Sequence, residues 1–498
     1  MTGRECPPIG AEIRGRVNVL AVIAGMPYST LAIDAKFRLL RIFVTQVAPP
    51  DDSTYGNANP QDLGVYRTTV PLPVPQLIKK RFTNRQGAPT HKVASDREFI
   101  ILLTCLMASA ALSIDLMLPA FPEMRQEFGM SPDSTKVSWI VTSYFLGLAV
   151  GPWLYGPASD RYGRRAPLFA GLTLFIVGAL LASVAPSWGW VIVARFIWGL
   201  GTAAPRALST AMIRDRYEGT AMAQLMSRMV AVFLLVPILA PSVGTGLIKI
   251  APWRIVFWVP AGVALILMIW SRRLPETLAV DKRRPFTWSA VGEAGREVMT
   301  HRATLSFIVA MTLLFAVMTT YLSGSEVIVG DVYGYGSWFP LIFGILAVLL
   351  AINSLNNARI VQRMGINKLV RQSSLIAVGT SVLLLVISFT NHGRPNFWLF
   401  FIALALVIPI AQGLVPNCNT AAMMPVPHIA GTASSIIATV STAGAALLGN
   451  LATSQFDGTV RPLALIIFTF ISIGTIAIFI GTKATESSTG TEVTTNSV

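Results

Sequence analysis

The chain has 498 residues, 53% of them hydrophobic and only 13% charged, with a mean hydropathy of +0.61. A charged share about half that of soluble domains excludes a water-soluble globular protein and implies a multi-span membrane protein whose setting is the lipid bilayer. The net charge of +15 does not point to nucleic acid, because Lys and Arg sit in short loops between apolar runs and build no basic face.

Residues 1–96 differ from the rest. Pro and charged residues interrupt every apolar run, Val19 to Ala24 is too short to span, and Val70-Pro71-Leu72-Pro73-Val74-Pro75 favours extended backbone. Glu5 and Glu12 among the first basic residues argue against a signal peptide. This N-terminal extension reads as disordered, as not natively translated, or as a small added domain, and no function is assigned to it.

From Arg97 onward, apolar runs of bilayer length follow one another, over 97–120, 137–157, 166–185, 188–213, 222–249, 252–270, 304–323, 336–355, 370–390, 397–417, 430–453 and 462–482. The expected fold class is an all-α polytopic membrane protein, with twelve transmembrane helices in two pseudo-symmetric six-helix bundles. The bundles are 97–270 and 304–482, joined by a linker at 271–303 and followed by a disordered tail at 483–498, rich in Ser, Thr and Gly. Of the three cysteines, Cys6, Cys105 and Cys418, none stands at metal-ligand spacing, so neither a disulfide framework nor a metal site is expected.

Basic residues orient the spans. Loops after spans two, four, six and eight carry Arg161, Arg164 and Arg165; Arg214 and Arg216; Arg272, Arg273, Lys282, Arg283 and Arg284; and Arg359, Arg363 and Lys368. The other side holds scattered charges such as Arg125, Lys136, Arg394 and Arg461. The positive-inside rule then puts both termini in the cytoplasm of a multi-pass protein of the plasma membrane, with a bacterial inner membrane as the expected setting. Aligning Gly163 with Gly365 sets Asp160-Arg161-Tyr162-Gly163-Arg164-Arg165 against Gln362-Arg363-Met364-Gly365-Ile366-Asn367, each after the second span of its half. One Arg and the Gly survive, where an internal repeat would put them.

The stretch from Gly156 to Leu168 is expected to be a polar hinge at the membrane surface, since irregular backbone cannot join two spans inside lipid. Gly163 permits a tight turn, and Asp160 could make and break interhelical charge contacts. Gly156, Asp160, Arg161, Gly163, Arg164 and Arg165 resemble the signature loop of the major facilitator superfamily, approximately G-x-L-x-D-R-x-G-R-R, with Ala158 replacing the usual Leu. Further stretches resemble its bicyclomycin- and chloramphenicol-resistance drug:proton antiporter branch: Ser113-Ile114-Asp115-Leu116-Met117-Leu118-Pro119, Leu274-Pro275-Glu276-Thr277-Leu278, and Pro427-His428-Ile429-Ala430-Gly431-Thr432-Ala433-Ser434. The likeness covers about 97–482.

A carboxylate within an apolar helix is expensive when ionised, so Asp115 either finds a partner or becomes titratable near neutral pH. The resemblance implies that it is where proton and substrate exclude each other; the plainer alternative is a solvated residue near the outer surface. A second acid found two turns earlier in similar exporters is missing, because Met107 stands there. Arg195, in the family's R-x-x-x-G-x-G pattern with Gly199 and Gly201, is implied as a fixed counter-charge in proton coupling; Arg206, eleven residues later and so on nearly the same face, reads as a second cavity cation. Pro237, Pro241 and Gly244 resemble the P-x-x-G-G antiporter motif, with Thr245 interrupting the glycine pair, and suit a kink or gate. Candidate substrate contacts are Phe145, Trp198, Arg206, Phe233, Tyr321, Glu326 and Asn417. For Glu326 a solvated outer loop is the favoured reading, and for Asn417 a helix contact.

The expected function is proton-coupled efflux of small amphipathic substrates by alternating access, in a monomer that uses no cofactor beyond the proton gradient. The alternatives are an exporter or symporter of a specific metabolite (nucleoside, amino acid or sugar), or a non-transporting membrane receptor. No Walker loop, nucleophile–base pair or metal cluster is present in the sequence to support an ATPase or another enzyme.

Overall fold

A computed structural model describes residues 94–131, 134–283 and 288–495. Twelve helices among them are long and apolar enough to cross a membrane: Asp96–Glu127, Thr135–Tyr162, Arg165–Ser183, Trp188–Arg216, Gln224–Ile250, Ile255–Arg273, Arg302–Val332, Gly336–Met364, Ile366–Ser388, Phe397–Met423, Gly431–Ser454 and Arg461–Glu486. They are numbered as spans one to twelve. The shortest, spans three and six at 19 residues each, rise roughly 28 Å, close to the hydrocarbon thickness they must cover. The expected extension lies outside the described residues up to residue 93. Span one begins at Asp96, where Ser95 caps it by accepting from the Glu98 amide at 3.3 Å.

Packing repeats from one half to the other. Span four lies against spans one, two and three, and span ten against seven, eight and nine; spans five and six flank span one as eleven and twelve flank seven. The halves meet along two seams, span two on eleven and span five on eight, which exchange under the same six-span shift. The repeat inferred from Gly163 and Gly365 has a backbone counterpart: both residues stop a helix, with φ +88 and +74.

Close helix contact in the first half depends on residues without side chains. A Cβ on Gly199 would fall on the Tyr144 carbonyl of span two, and one on Gly201 on the Phe175 backbone of span three. Gly199→Ala should therefore cost about 1–3 kcal/mol, read as a lower melting temperature of the purified protein; an unchanged melting temperature would refute the contact.

Several expected boundaries move. Span two continues to Tyr162 and span three starts at Arg165, so the polar hinge shrinks to Gly163 and Arg164, while Gly156, Asp160 and Arg161 are helical. A helix that has already formed propagates cheaply past the lipid into water. The same effect carries span eight to Met364 and the last helix to Thr495, through the tail expected to be disordered. The linker also contains a helix, Trp288–Thr300, whose Glu297 meets His428 before span eleven at 3.0 Å.

Candidate functional site

Between the halves lies a cavity of about 260 Å³. Span one brings Ile114 and Asp115 to it, span two Phe145, span four Arg206, and span five Phe233 and Pro237; Phe315 and Tyr321 come from span seven, Phe343, Asn353 and Asn357 from span eight, and Gln412 from span ten. Aromatic rings form its walls: Tyr321 and Phe343 stack at 5.6 Å, and Phe145 meets Phe315 edge-on at 5.7 Å across the halves. Such a wall accepts apolar bodies of varied shape, while a few polar groups fix their orientation.

Asp115 is 4% exposed, with no hydrogen bond or ion pair to its carboxylate among the described residues. Arg206, flanked by the buried Pro205 and Leu208, is nevertheless solvent-exposed because its side chain opens into the cavity. The amides are partly spent on neighbours: Asn353 donates to the Pro409 carbonyl at 2.6 Å, Gln412 to that of Leu314 at 2.8 Å, and Asn417 to Asn357 Oδ1 at 2.9 Å and to the Gly413 carbonyl at 3.0 Å. This leaves Asn353 Oδ1, Gln412 Oε1 and the Asn357 Nδ2 group available to a ligand.

Arg195 lies behind this cavity and does not line it. Its Nε donates to the Ile140 carbonyl and its Nη1 to the Ser113 carbonyl, both at 3.1 Å. The Tyr144 and Trp198 rings cover it at 4.4 and 4.5 Å, and Nη2 has no partner. A full positive charge is thus sealed against the backbone two residues before Asp115, where it can act on that carboxylate only through space and through span one.

Of the candidate substrate contacts, Phe145, Arg206, Phe233 and Tyr321 line the cavity, and Pro237 joins them. Three others do not. Trp198 is the largest fully buried side chain and packs within the first half against Tyr144, Phe175 and Phe257. Asn417 sits behind Asn357, in keeping with the helix contact favoured for it. Glu326 is not solvated: it is 7% exposed and both its oxygens accept from Arg125 Nη2 at 2.9 Å, tying span one to span seven at the end of the bundle opposite Gly163. The helix that carries it continues through a π turn to Val332, so Glu326 stands within a helix and not in a loop. Ser138 and Asn450 close the same end at 2.6 Å.

At the Gly163 end, Arg164 is the centre of a network. Its Nε bonds Asp215 at 2.9 Å, its Nη1 bonds Asp160 and Ser159 at 2.7 Å, and its backbone amide donates to Glu276 at 2.8 Å. Burial alone would lower its pKa, but the bonds to Asp215 and Asp160 outweigh burial and hold it above the usual arginine value. Arg165 adds a bond to the Arg272 carbonyl at 3.1 Å, while Arg161 is exposed over the Tyr162 ring. The interhelical acids are therefore Asp215 and Glu276. Asp160 pairs within its own turn, and the network ties the first half to the start of the linker through Glu276 and Arg272. Arg164→Ala should lower stability by about 1–3 kcal/mol and leave ligand affinity unchanged; a melting curve and a binding titration on one sample check both, and lost affinity at unchanged stability would refute this reading. Gly244 touches the Leu116 carbonyl directly after Asp115, so span five leans on span one beside the carboxylate.

Sequence reasoning missed Arg125, Asp215, Asn353, Asn357 and Gln412 as functional positions. The amides gave a usable signal, since Asn353 and Asn357 are one helical turn apart in an apolar run and polar groups inside a span are rare without a role. Arg125 and Asp215 gave none, because only the fold brings their partners near.

Residues 103–449 match the family model described as Major Facilitator Superfamily. The chain is 26% identical over 398 residues to the bicyclomycin resistance protein homolog of Haemophilus influenzae, covering 79% of this chain and 98% of that one. It is 25% identical over 356 residues to multidrug resistance protein D of Escherichia coli K12, covering 71% and 87%. Among solved structures it is similar to the human organic anion transporter MFSD10, with a TM-score of 0.62 at 17% identity over 78% of this chain and 100% of that one. A D-xylose–proton symporter aligns with a TM-score of 0.60 at 15% identity, over 77% and 97%. At these identities the two structures speak for the fold alone.

Proposed function

Since the chain belongs to the Major Facilitator Superfamily, a family of membrane transporters, we propose that it exports small amphipathic molecules in exchange for protons by rocking its two halves around the central cavity. The observation that carries this reading is Asp115: an unpaired carboxylate on the wall of an aromatic cavity, with a sealed positive charge behind its helix. A proton and a ligand compete for that carboxylate. The relatives named for bicyclomycin and multidrug resistance support the substrate class.

The basic residues at the Gly163 end support a cytoplasmic side for that end, and with it for both termini. The Arg125–Glu326 and Ser138–Asn450 contacts then close the external side, so the structure corresponds to the state that receives substrate from within. Coupling needs no cofactor, and a single chain holds the whole cavity. In reconstituted vesicles an imposed pH gradient should drive accumulation of an amphipathic dye, and collapsing the gradient with a protonophore should abolish it. Accumulation that survives the protonophore would sink proton coupling.

A further inference from the structure

The cavity holds one unpaired carboxylate and one unpaired guanidinium, and they stand at different depths. Asp96 and Arg216 form an ion pair at 2.7 Å, so the cytoplasmic ends of spans one and four are level. Counting along each helix from that level at 1.5 Å per residue puts Asp115 roughly 28 Å in and Arg206 roughly 15 Å in, a separation of roughly 13 Å along the membrane normal. The rings of Phe145, Phe233, Tyr321 and Phe343 line the same cavity.

The guanidinium cannot shed its proton to escape the cost of its site, whereas Asp115 can. Arg206 therefore presents a permanent positive charge to whatever enters. Asn353, Asn357 and Gln412 stand about three turns or less from the same end of spans eight and ten, and so near the Arg206 level. The free Nδ2 group of Asn357 adds a donor there. A purely cationic ligand would leave Arg206 unmatched and repelled; a purely anionic one would leave nothing to displace the proton from Asp115.

We propose that the preferred substrate is a zwitterion with an aromatic body and well-separated charges, its anionic group held by Arg206 and Asn357 and its cationic group displacing the proton of Asp115. This rests on the transport reading of the cavity and narrows its substrate class. It also states why exchange has the sign of antiport: an anion alone on Arg206 would favour a protonated Asp115, and only the far ammonium reverses that.

The test uses the full chain in detergent with 4′-(aminomethyl)biphenyl-4-carboxylic acid, its carboxamide and its N-acetyl derivative as zwitterionic, cationic and anionic probes. Thermal-shift titrations give the affinities, and a pH dye in weak buffer reports proton release. In the wild type the zwitterion should bind at least about tenfold tighter than either analogue. Arg206→Gln should erase its advantage over the carboxamide and keep its advantage over the N-acetyl derivative, Asp115→Asn should do the reverse, and Arg206→Lys should restore most of the wild-type pattern. The proposal is overturned if the carboxamide binds as tightly as the zwitterion, if Arg206→Gln leaves the preference intact, or if none of the probes binds below millimolar concentration. Proton release by the carboxamide without any acid preference would overturn the zwitterion site and leave proton coupling standing. An acid-dependent preference without proton release would support the site and overturn the coupling.

Discussion

Replacing Asp115 by Asn is expected to abolish ligand-driven proton release and gradient-driven transport, and to weaken binding of a cationic or zwitterionic ligand at high pH by about tenfold. The substitution keeps the shape of the side chain and removes its negative charge together with its ability to exchange a proton. Linkage gives the sign. If a cationic ligand binds only when Asp115 is deprotonated, apparent affinity is pH-independent above the pKa of that group. It weakens as the pH falls below it, by about tenfold per unit. The Asn variant has nothing to titrate there, so its affinity should stay flat. Titrations of wild type and variant across pH, run beside the proton-release assay, check both halves of the expectation. A variant whose affinity keeps the wild-type slope would show that another group carries the proton, and Asp115 would be reduced to a polar wall residue.

Arg195 makes the same experiment informative about geometry. Its bonds to the Ser113 and Ile140 carbonyls fix span one against span two, so its charge reaches Asp115 along a rigid path and without a direct ion pair. The sequence pattern identified the residue correctly as buried within a span, yet the expected fixed counter-charge stands behind the helix that carries the acid. Residue spacing along one helix does not say which carbonyls of a neighbouring helix a long side chain will reach.

How much could be read in advance follows from the range of the forces involved. Bilayer thickness acts on every span independently, so the twelve spans were legible from apolar length alone. Helix ends were not, since propagation into water costs little and leaves no compositional mark, which is why Asp160 and Arg161 proved helical. Cavity residues were legible where type and position agreed, as for Phe145, Phe233 and Arg206. Trp198 failed because a large aromatic is equally at home inside one half, stacked around Arg195. Glu326 failed for a deeper reason: its partner Arg125 lies 201 residues away in sequence and in the other half, so its burial depends on the rigid-body position of two bundles.

That ion pair is also where the largest conformational effect is expected. Arg125 and Glu326 are both nearly buried, Asp331 stands 3.9 Å from the same guanidinium, and one oxygen of Glu123 and Nη1 of Arg125 are buried without partners. Glu326→Gln leaves Arg125 sealed beside an amide in the externally closed state, while opening the external side would hydrate it. Removing one partner of a buried pair costs about 3–5 kcal/mol. Because that cost falls on the closed state alone, the equilibrium should move towards the externally open state by on the order of a hundredfold or more. With the native cysteines replaced, a reporter cysteine at Val329, which is 6% exposed here, should react slowly with an impermeant maleimide added outside. Glu326→Gln should accelerate it strongly, and the charge swap Arg125→Glu with Glu326→Arg should slow it again. The swap separates a gate from general loosening, since a protein merely destabilised by Glu326→Gln would not be rescued by a second buried substitution. Labelling that is equally slow in all three proteins would mean that the pair does not hold the external side shut, and that the seams of spans two and eleven and of five and eight do so without it.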